Sequence, residues 1–111
     1  MDVYFDTEEL QNACNSAKVG DRRWGDQAAR RIRNRLAQLQ AAGTLEDMRQ
    51  FGGASPHELK GDRRGQIAVN GKGAMRIIFV PLHAPPPTKP DGGLDWTKVT
   101  AIRIVAIIDY H

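Results

Sequence analysis

The stretch GQIAVNGKGAMRIIFV, residues 65–80, decides how this chain is expected to fold. Two runs within it, Gln66–Val69 and Ala74–Val80, have the apolar composition and the length of β-strands. Between them stands Asn70-Gly71, the dipeptide that most strongly favours a two-residue hairpin turn. We therefore predict a β-hairpin over residues 65–80 with its turn at Asn70-Gly71.

Upstream of the hairpin, the sequence favours one strand and two helices. Asp2–Asp6 has the alternation of a strand, with Tyr4 on the face opposite its apolar neighbours Val3 and Phe5. Thr7 is a good N-cap for a short first helix. A longer amphipathic helix is predicted up to Gly43. The apolar stripe of this helix consists of Ala28, Ile32, Leu36 and Leu39, and the arginines predicted to point away from it are Arg30, Arg31 and Arg33.

Downstream segments complete a sheet. His57–Lys60 has the composition of a short strand, and the Pro- and Gly-rich stretch at about residues 81–97 is expected to be a long loop. Val99–Asp109 is apolar on both faces, which predicts a central strand that is covered on both sides. Strict alternation along it would place Arg103, Val105, Ile107, Asp109 and His111 on one face and Tyr110 on the other.

These elements predict an α+β fold, in which an N-terminal strand and two helices pack on a mainly antiparallel sheet. A chain of 111 residues suits one core, so we expect a single domain over residues 1–111. Cys14 is the only cysteine, which excludes an intrachain disulfide, and we expect it in the core. The N-terminal residues lack the pattern of a signal peptide and no apolar run approaches ~18 residues, so we expect a cytoplasmic protein that does not bind membranes.

The positive charge of the chain is concentrated in two blocks, although the net charge is only +3. Residues 22–35 contain six arginines and one aspartate, and residues 60–76 contain five basic residues and one aspartate. The rest of the chain is therefore negatively charged. This distribution indicates an anionic partner, either nucleic acid or an acidic protein surface.

Motifs for common cofactor and metal chemistry are absent from the sequence. It contains no Gly-rich phosphate loop followed by Lys-Ser or Lys-Thr, no Gly-x-Ser-x-Gly and no His-Glu-x-x-His. We therefore expect neither a cofactor nor a metal site. What remains is a basic, histidine-containing set near the sheet: His57, Lys60, Arg63, Arg64, Arg76 and the C-terminal Asp109-Tyr110-His111.

This set has the side chains needed to cut RNA without a metal. The ribose 2′-OH must lose a proton to attack the adjacent phosphate, the phosphorane needs positive donors, and the 5′-oxygen needs a proton as it leaves. Histidine and lysine can transfer both protons, and the planar guanidinium of arginine matches two phosphate oxygens. Arg76 is the most informative member, because it interrupts an apolar strand where an unpaired buried cation is costly.

The same residues also have structural interpretations. Arg76 could pair with Asp62 or Asp109. His57 could be an ordinary surface residue of a strand, and His111 could belong to a frayed terminus. Lys60, Arg63 and Arg64 could form a solvated turn. A solvated helix face or a protein contact is the alternative for Arg30, Arg31, Arg33 and Arg35.

Four strings, in their order along the chain, resemble the HigB branch of the RelE/ParE toxins: His57–Gln66 (HELKGDRRGQ), Val69-Asn70-Gly71, Arg76–Phe79 and Asp109-Tyr110-His111. The resemblance covers nearly the whole chain and implies the RelE-like order of strand, two helices and antiparallel sheet. It further implies a bacterial type II toxin: a small ribonuclease that enters the ribosomal A site and cuts the mRNA being translated. Such a toxin is held inactive by an antitoxin, here a HigA-like helix-turn-helix protein.

Matched residue by residue, the resemblance implies acid/base and phosphate-stabilising roles for His57, Lys60, Arg76, Asp109, Tyr110 and His111. From the chemistry, we expect His111 to be the leading acid or base, with Asp109 orienting it. Lys60 and Arg76 would stabilise the phosphate, and Tyr110 would stack or assist proton transfer. Contacts with RNA or the ribosome are predicted for Arg63, Arg64, Lys72, Arg30, Arg31 and Arg33. Two other functions remain open: ParE-like inhibition of DNA gyrase, and a non-catalytic module that binds nucleic acid or protein.

Overall fold

The computed structural model describes residues 1–109, in which three α-helices lie on one face of a five-stranded sheet. The strands are β1 (Asp2–Phe5), β2 (His57–Glu58), β3 (Ile67–Asn70), β4 (Met75–Pro81) and β5 (Ala101–Asp109), and the helices are α1 (Glu8–Asn15), α2 (Ala17–Trp24) and α3 (Asp26–Ala41). The strand order is β1-β5-β4-β3-β2; β1 runs parallel to β5, and every other neighbouring pair is antiparallel. The predicted α+β class with a mainly antiparallel sheet is therefore confirmed. No helix in this part of the chain is long and apolar enough to cross a membrane.

One buried apolar cluster joins the helices to the sheet. It includes Ile32, Leu36 and Leu39 of α3 together with Ile77, Phe79 and Ile104 of the sheet. In β1, Val3 and Phe5 pack against this cluster while Tyr4 is 54% exposed, as the alternation predicts. Cys14 is buried in the same cluster, also as predicted, and burial raises the pKa of its thiol to about 11. The thiol is therefore protonated and unreactive near neutral pH.

The prediction of two helices is wrong, because the segment between them forms a third. Ser16 ends α1 and caps α2: its backbone is extended, and its hydroxyl accepts a hydrogen bond from the N–H of Val19 (3.2 Å). Gly25, with a φ of 83°, then separates α2 from α3, a backbone conformation that favours glycine. The buried stripe of α3 begins at Ala29 rather than at the predicted Ala28.

Arg35 is buried, although it was expected on a solvated helix face, and only 4% of its surface is exposed. Its Nε donates to the carbonyl of Asn70 (2.8 Å), and its two Nη atoms donate to Oε1 of Gln38 (2.9 Å) and to the carbonyl of Gly52 (3.3 Å). Burial and, to a lesser extent, the charge of Arg31 lower the pKa of this guanidinium. Protein oxygens replace water around the cation, which allows it to be buried. Arg35 thereby ties α3 to β3 and to the segment before β2.

The predicted hairpin forms from β3 and β4, but its turn lies two residues later than Asn70-Gly71. Asn70 pairs with Arg76 within the ladder, and the N–H of Gly71 donates to the carbonyl of Met75 (2.8 Å). The connection therefore consists of residues 72–74, with Gly73 in a left-handed conformation (φ 57°).

Tertiary hydrogen bonds explain why Asn70 lies in the strand and not in the turn. Its N–H donates to the carbonyl of Ala54 (2.8 Å), and its carbonyl accepts from the buried Arg35. Both partners are distant in sequence. The local preference of Asn-Gly for a turn is overridden because leaving these groups unpaired would be costly.

A β-bulge in β5 changes which of its side chains share a face. On one side of the bulge Ile78 pairs with Ala106, and on the other side Phe79 pairs with Ile104. Val105 is therefore an extra residue, which inverts the alternation beyond it. The prediction that Arg103 and Asp109 share a face is wrong for this reason.

The expectation that β5 is covered on both sides is also wrong. Ile102, Ile104 and Ile107 are buried against the helices, whereas Arg103, Ala106 and Ile108 on the opposite face are partly exposed. Within residues 1–109, no helix packs on that opposite face. We call it the helix-free face.

The segment that follows β4 crosses one end of the sheet. Residues 82–95 contain no helix or strand apart from one isolated bridge between Thr88 and Leu94. A 3-10 turn, Trp96–Lys98, then leads into β5. This is the Pro- and Gly-rich segment that was expected to be a loop.

The network of Arg35 predicts a large stability difference between two neighbouring arginines of α3. Replacing Arg35 with Ala leaves the carbonyls of Asn70 and Gly52 without this donor and should lower the free energy of unfolding by about 3 kcal/mol. Arg31→Ala, at an exposed position one turn earlier, should change it by less than about 0.5 kcal/mol. Urea unfolding of both variants measures the difference. Equal losses would contradict a structural role for Arg35.

Candidate nucleic-acid interface

A groove of about 590 Å³ lies at the outer edge of β2. One wall is the turn that follows β2 and carries Lys60 and Arg64, and the other wall is the loop tip at Gly92-Gly93-Leu94. Glu58 lines it as well. We call this space the β2 groove. Two of the predicted site residues thus share a cavity of the size usual for small-ligand sites, roughly 300 to 1,000 Å³.

A tight turn holds the two cations of the β2 groove in place. Lys60 precedes a 3-10 turn, Gly61–Arg63, which is closed by a hydrogen bond from the N–H of Arg64 to the carbonyl of Gly61 (3.1 Å). Gly65 has a φ of 89°, a conformation that glycine adopts without strain. The side chain of Arg63 is used within the turn, since its Nη1 donates to Oε1 of Gln66 (2.9 Å). Arg64 is therefore the exposed arginine of the pair.

The opposite wall is anchored through Trp96. Its indole Nε1 donates to Oε2 of Glu58 (3.2 Å), and the guanidinium of Arg49 lies 4.1 Å from the centre of its ring. The hydroxyl and N–H of Thr97 hydrogen-bond to Asp95, which lowers the pKa of that carboxyl. These contacts connect the end of the loop to β2 and to the helix side of the protein.

His57 and Arg76 lie on the helix-free face, away from the β2 groove. The register pairs His57 with Ala68, and Arg76 with Asn70. His57 and Arg76 are therefore two strands apart and offset by two residues along the strand direction, which places their Cα atoms about 12 Å apart. The ring of His57 is exposed, with its Nδ1 2.8 Å from the carbonyl of Ser55.

Arg76 is half-buried, and its Nη1 donates to two main-chain carbonyls, those of Gly73 (3.0 Å) and Met75 (2.8 Å). These partners are neutral, so they orient the guanidinium without neutralising it. A cation held in this way near the start of β4 is suited to bind a phosphate.

Asp109 lies on the face opposite Arg76, because the register pairs it with Met75 while Arg76 pairs with Ile108. Tyr110 and His111 lie outside the described residues. The predicted approach of His111 to a phosphate held by Lys60 and Arg76 therefore stays a prediction.

A second basic surface joins the two charged blocks of the sequence. Arg30 and Arg31 of α3 and Lys72 of the β3–β4 connection line a depression of about 280 Å³, and Lys72 contacts Oε1 of Gln27. We call this the α3 surface. Arg33 is not part of it; its Nη1 lies 3.4 Å from Oδ1 of Asp21. Of the residues predicted to bind RNA or the ribosome, Arg64 lines the β2 groove, and Arg30, Arg31 and Lys72 line the α3 surface. Arg33 and Arg63 line neither, because they contact Asp21 and Gln66.

Sequence reasoning did not identify Glu58 or the loop tip as part of a site. Glu58 and Trp96 are 38 positions apart, and no local pattern signals that the loop returns to the edge of β2. In residues 1–109, no three His, Cys, Asp or Glu side chains lie together in a way that could hold a metal ion.

No model of a protein family matches the sequence, and no curated protein matches it. Solved structures do. A YoeB/ParE toxin from Agrobacterium tumefaciens has a TM-score of 0.56 at 10% identity, with the whole of both chains covered. A YoeB-YefM complex from Staphylococcus aureus has a TM-score of 0.54 at 14% identity, covering 100% of this chain and 97% of the other. At these identities the likeness concerns the backbone, so the chain has a fold like that of the YoeB/ParE-type toxins.

Proposed function

We propose that this protein is the toxin of a bacterial type II toxin-antitoxin system and acts as a ribosome-dependent mRNA endoribonuclease. The observation that carries the proposal is the β2 groove, a cavity of nucleotide size lined by Lys60 and Arg64. The likeness of the fold to a YoeB/ParE toxin supports it. Because one fold can host several activities, the HigB-like strings are what favour RNA cleavage over other toxin activities.

The chemistry we propose is attack of the ribose 2′-OH on the adjacent phosphate, which leaves a 2′,3′-cyclic phosphate and a free 5′-OH. One of the two cations, Lys60 or Arg76, stabilises the charge of the phosphorane, and the other binds a neighbouring phosphate of the strand. His111 is the leading proton donor or acceptor, with Asp109 as its orienting carboxylate. His57 and Tyr110 are further candidates for proton transfer. The reaction as proposed needs no divalent metal.

Two partners follow from this function. The α3 surface binds ribosomal RNA, because Arg30, Arg31 and Lys72 supply three cations to a depression that no carboxylate of the described residues lines. The second partner is an antitoxin, which we propose to be HigA-like with a helix-turn-helix domain. A structural neighbour, YoeB, was solved in complex with a second protein, YefM, which supports a partner protein but not its HigA-like type.

Cleavage should depend on translation and on the two phosphate-binding cations. Induced expression should stop protein synthesis, and mapped mRNA ends should fall within translated frames but not in an untranslated copy of the same message. Lys60→Ala and Arg76→Ala should each lower the cleavage rate by roughly 100-fold or more, since each removes a charged donor. Lys18→Ala, an exposed lysine of α2, is the matched control and should retain the full rate. Intact mRNA together with inhibited DNA gyrase would instead support the ParE-like alternative.

Replacing His111 with Ala tests the proton-transfer role directly. The single-turnover rate on programmed ribosomes should fall by about 100-fold to 10,000-fold, while ribosome binding and the melting temperature stay near their original values. A variant that cleaves at full rate would remove His111 from the mechanism. One that unfolds would show that His111 is structural.

Of the two neighbouring turn arginines, Arg64 and not Arg63 should contact phosphate. Binding of single-stranded RNA should weaken with salt, and Arg64→Ala should reduce the slope of log K against log salt by about 0.7, the value for one phosphate contact. Arg63→Ala should leave the slope unchanged, because its guanidinium is already bound to Gln66. Fluorescence anisotropy over a salt series measures both slopes. An unchanged slope for Arg64→Ala would contradict this assignment.

A further inference from the structure

The loop that forms the outer wall of the β2 groove is an ordered turn. Thr88 and Leu94 form an antiparallel bridge, and two hydrogen bonds close the tip between them: the N–H of Lys89 donates to the carbonyl of Gly93 (2.7 Å), and the N–H of Gly92 donates to that of Lys89 (2.8 Å). Gly92 has a φ of 92°, which favours glycine at this point of the turn. We call residues 88–94 the loop hairpin.

Contacts at its base fix the loop hairpin against the sheet. The N–H of Asp95 donates to the carbonyl of Pro87 (2.9 Å), which closes the base. The next residue, Trp96, is 7% exposed and is held by Glu58 and Arg49. The wall of the groove therefore has a defined position relative to Lys60, because Glu58 and Lys60 belong to the same short segment.

The two walls of the groove offer different chemistry. The β2 side presents the cations of Lys60 and Arg64, which suit an anionic group. The hairpin side presents two glycines and the partly buried side chain of Leu94, a surface on which a flat ring can lie close to the main chain. The charged residues of the lining are Lys60, Arg64 and Glu58, so it has a net positive charge, and the carboxylate of Glu58 accepts the indole N–H of Trp96.

A nucleotide is anionic at one end and flat at the other, and so matches both walls. We propose that the β2 groove is a nucleotide subsite for the RNA strand, in which Lys60 and Arg64 bind a phosphate and the loop hairpin contacts the attached base. The inference deepens the proposed ribonuclease function and rests on it for the identity of the polymer. It assigns the Pro- and Gly-rich loop a role in substrate specificity.

Titration of the ¹⁵N-labelled full-length chain with adenosine 3′-monophosphate tests the subsite without ribosomes. Amide shifts should change at residues 60–65 and 92–94. Inorganic phosphate should perturb residues 60–65 but not residues 92–94, and it should bind more weakly. Shifts confined to the α3 surface, or no shifts at all, would overturn the proposal, as would equal affinities for phosphate and nucleotide.

Two variants test the two walls of the groove independently. Gly93→Leu adds bulk at the hairpin, where a Cβ atom would approach Oδ1 of Asp91 (3.1 Å) and Cε and Nζ of Lys89 (3.3 and 3.7 Å). Both side chains are exposed, and Oδ1 of Asp91 also accepts a hydrogen bond from the N–H of Gly93 (2.8 Å). It should weaken nucleotide binding by roughly tenfold or more, as expected for loss of a base contact, and leave phosphate binding unchanged. Arg64→Ala should weaken both ligands, and Lys18→Ala, at an exposed position of α2, should weaken neither. Unchanged nucleotide affinity of Gly93→Leu would overturn the role of the hairpin.

The same measurements distinguish the subsite from the proposed function. Nucleotide binding at the groove by a protein that cleaves no mRNA would leave the subsite standing and overturn the ribonuclease. Cleavage of translated mRNA by a protein that binds no nucleotide at the groove would support the ribonuclease function and overturn the subsite.

Discussion

The position of the candidate interface depends on a buried positive charge. Arg35 has to be solvated by the protein, and two of the oxygens that do so are main-chain carbonyls, one at the end of β3 and one in the segment before β2. Because an uncompensated buried cation is unstable, α3, β3 and that segment must assemble together. The N–H of Asn70 extends this assembly by donating to the carbonyl of Ala54. This assembly fixes the positions of two strands relative to the helix layer: β2, which borders the groove, and β4, which carries Arg76.

The parts of the fold that could be predicted are those set by local pattern. Alternation around Tyr4 predicted the faces of β1, and the apolar runs on both sides of Asn70-Gly71 predicted β3 and β4. The features that could not be predicted depend on tertiary contacts. Asn70 has the local preference of a turn residue but lies in a strand. Arg35 has the character of a surface residue but is buried. Nothing in the local sequence indicates a β-bulge at Val105.

The same distinction applies to the candidate site. The residue types and their order along the chain indicated phosphate chemistry, and the described structure places Lys60 and Arg64 in one groove. The sequence does not reveal that the candidate residues lie on both faces of the sheet. One extra residue in β5, Val105, places Asp109 and Arg103 on opposite faces. The position of the loop hairpin could not be predicted either, since it depends on contacts of Trp96 with Glu58 and Arg49, which are distant in sequence.

The most direct test of this account is a cryo-EM structure of the His111→Ala variant on a ribosome with mRNA in the A site. The account predicts an mRNA phosphate within hydrogen-bonding distance, about 3 Å, of the side chain of Lys60 or Arg76, with the loop hairpin beside the neighbouring nucleotide. It also predicts that the α3 surface lies against ribosomal RNA. An mRNA path that touches neither Lys60 nor Arg76, or a protein that does not bind the ribosome, would contradict it.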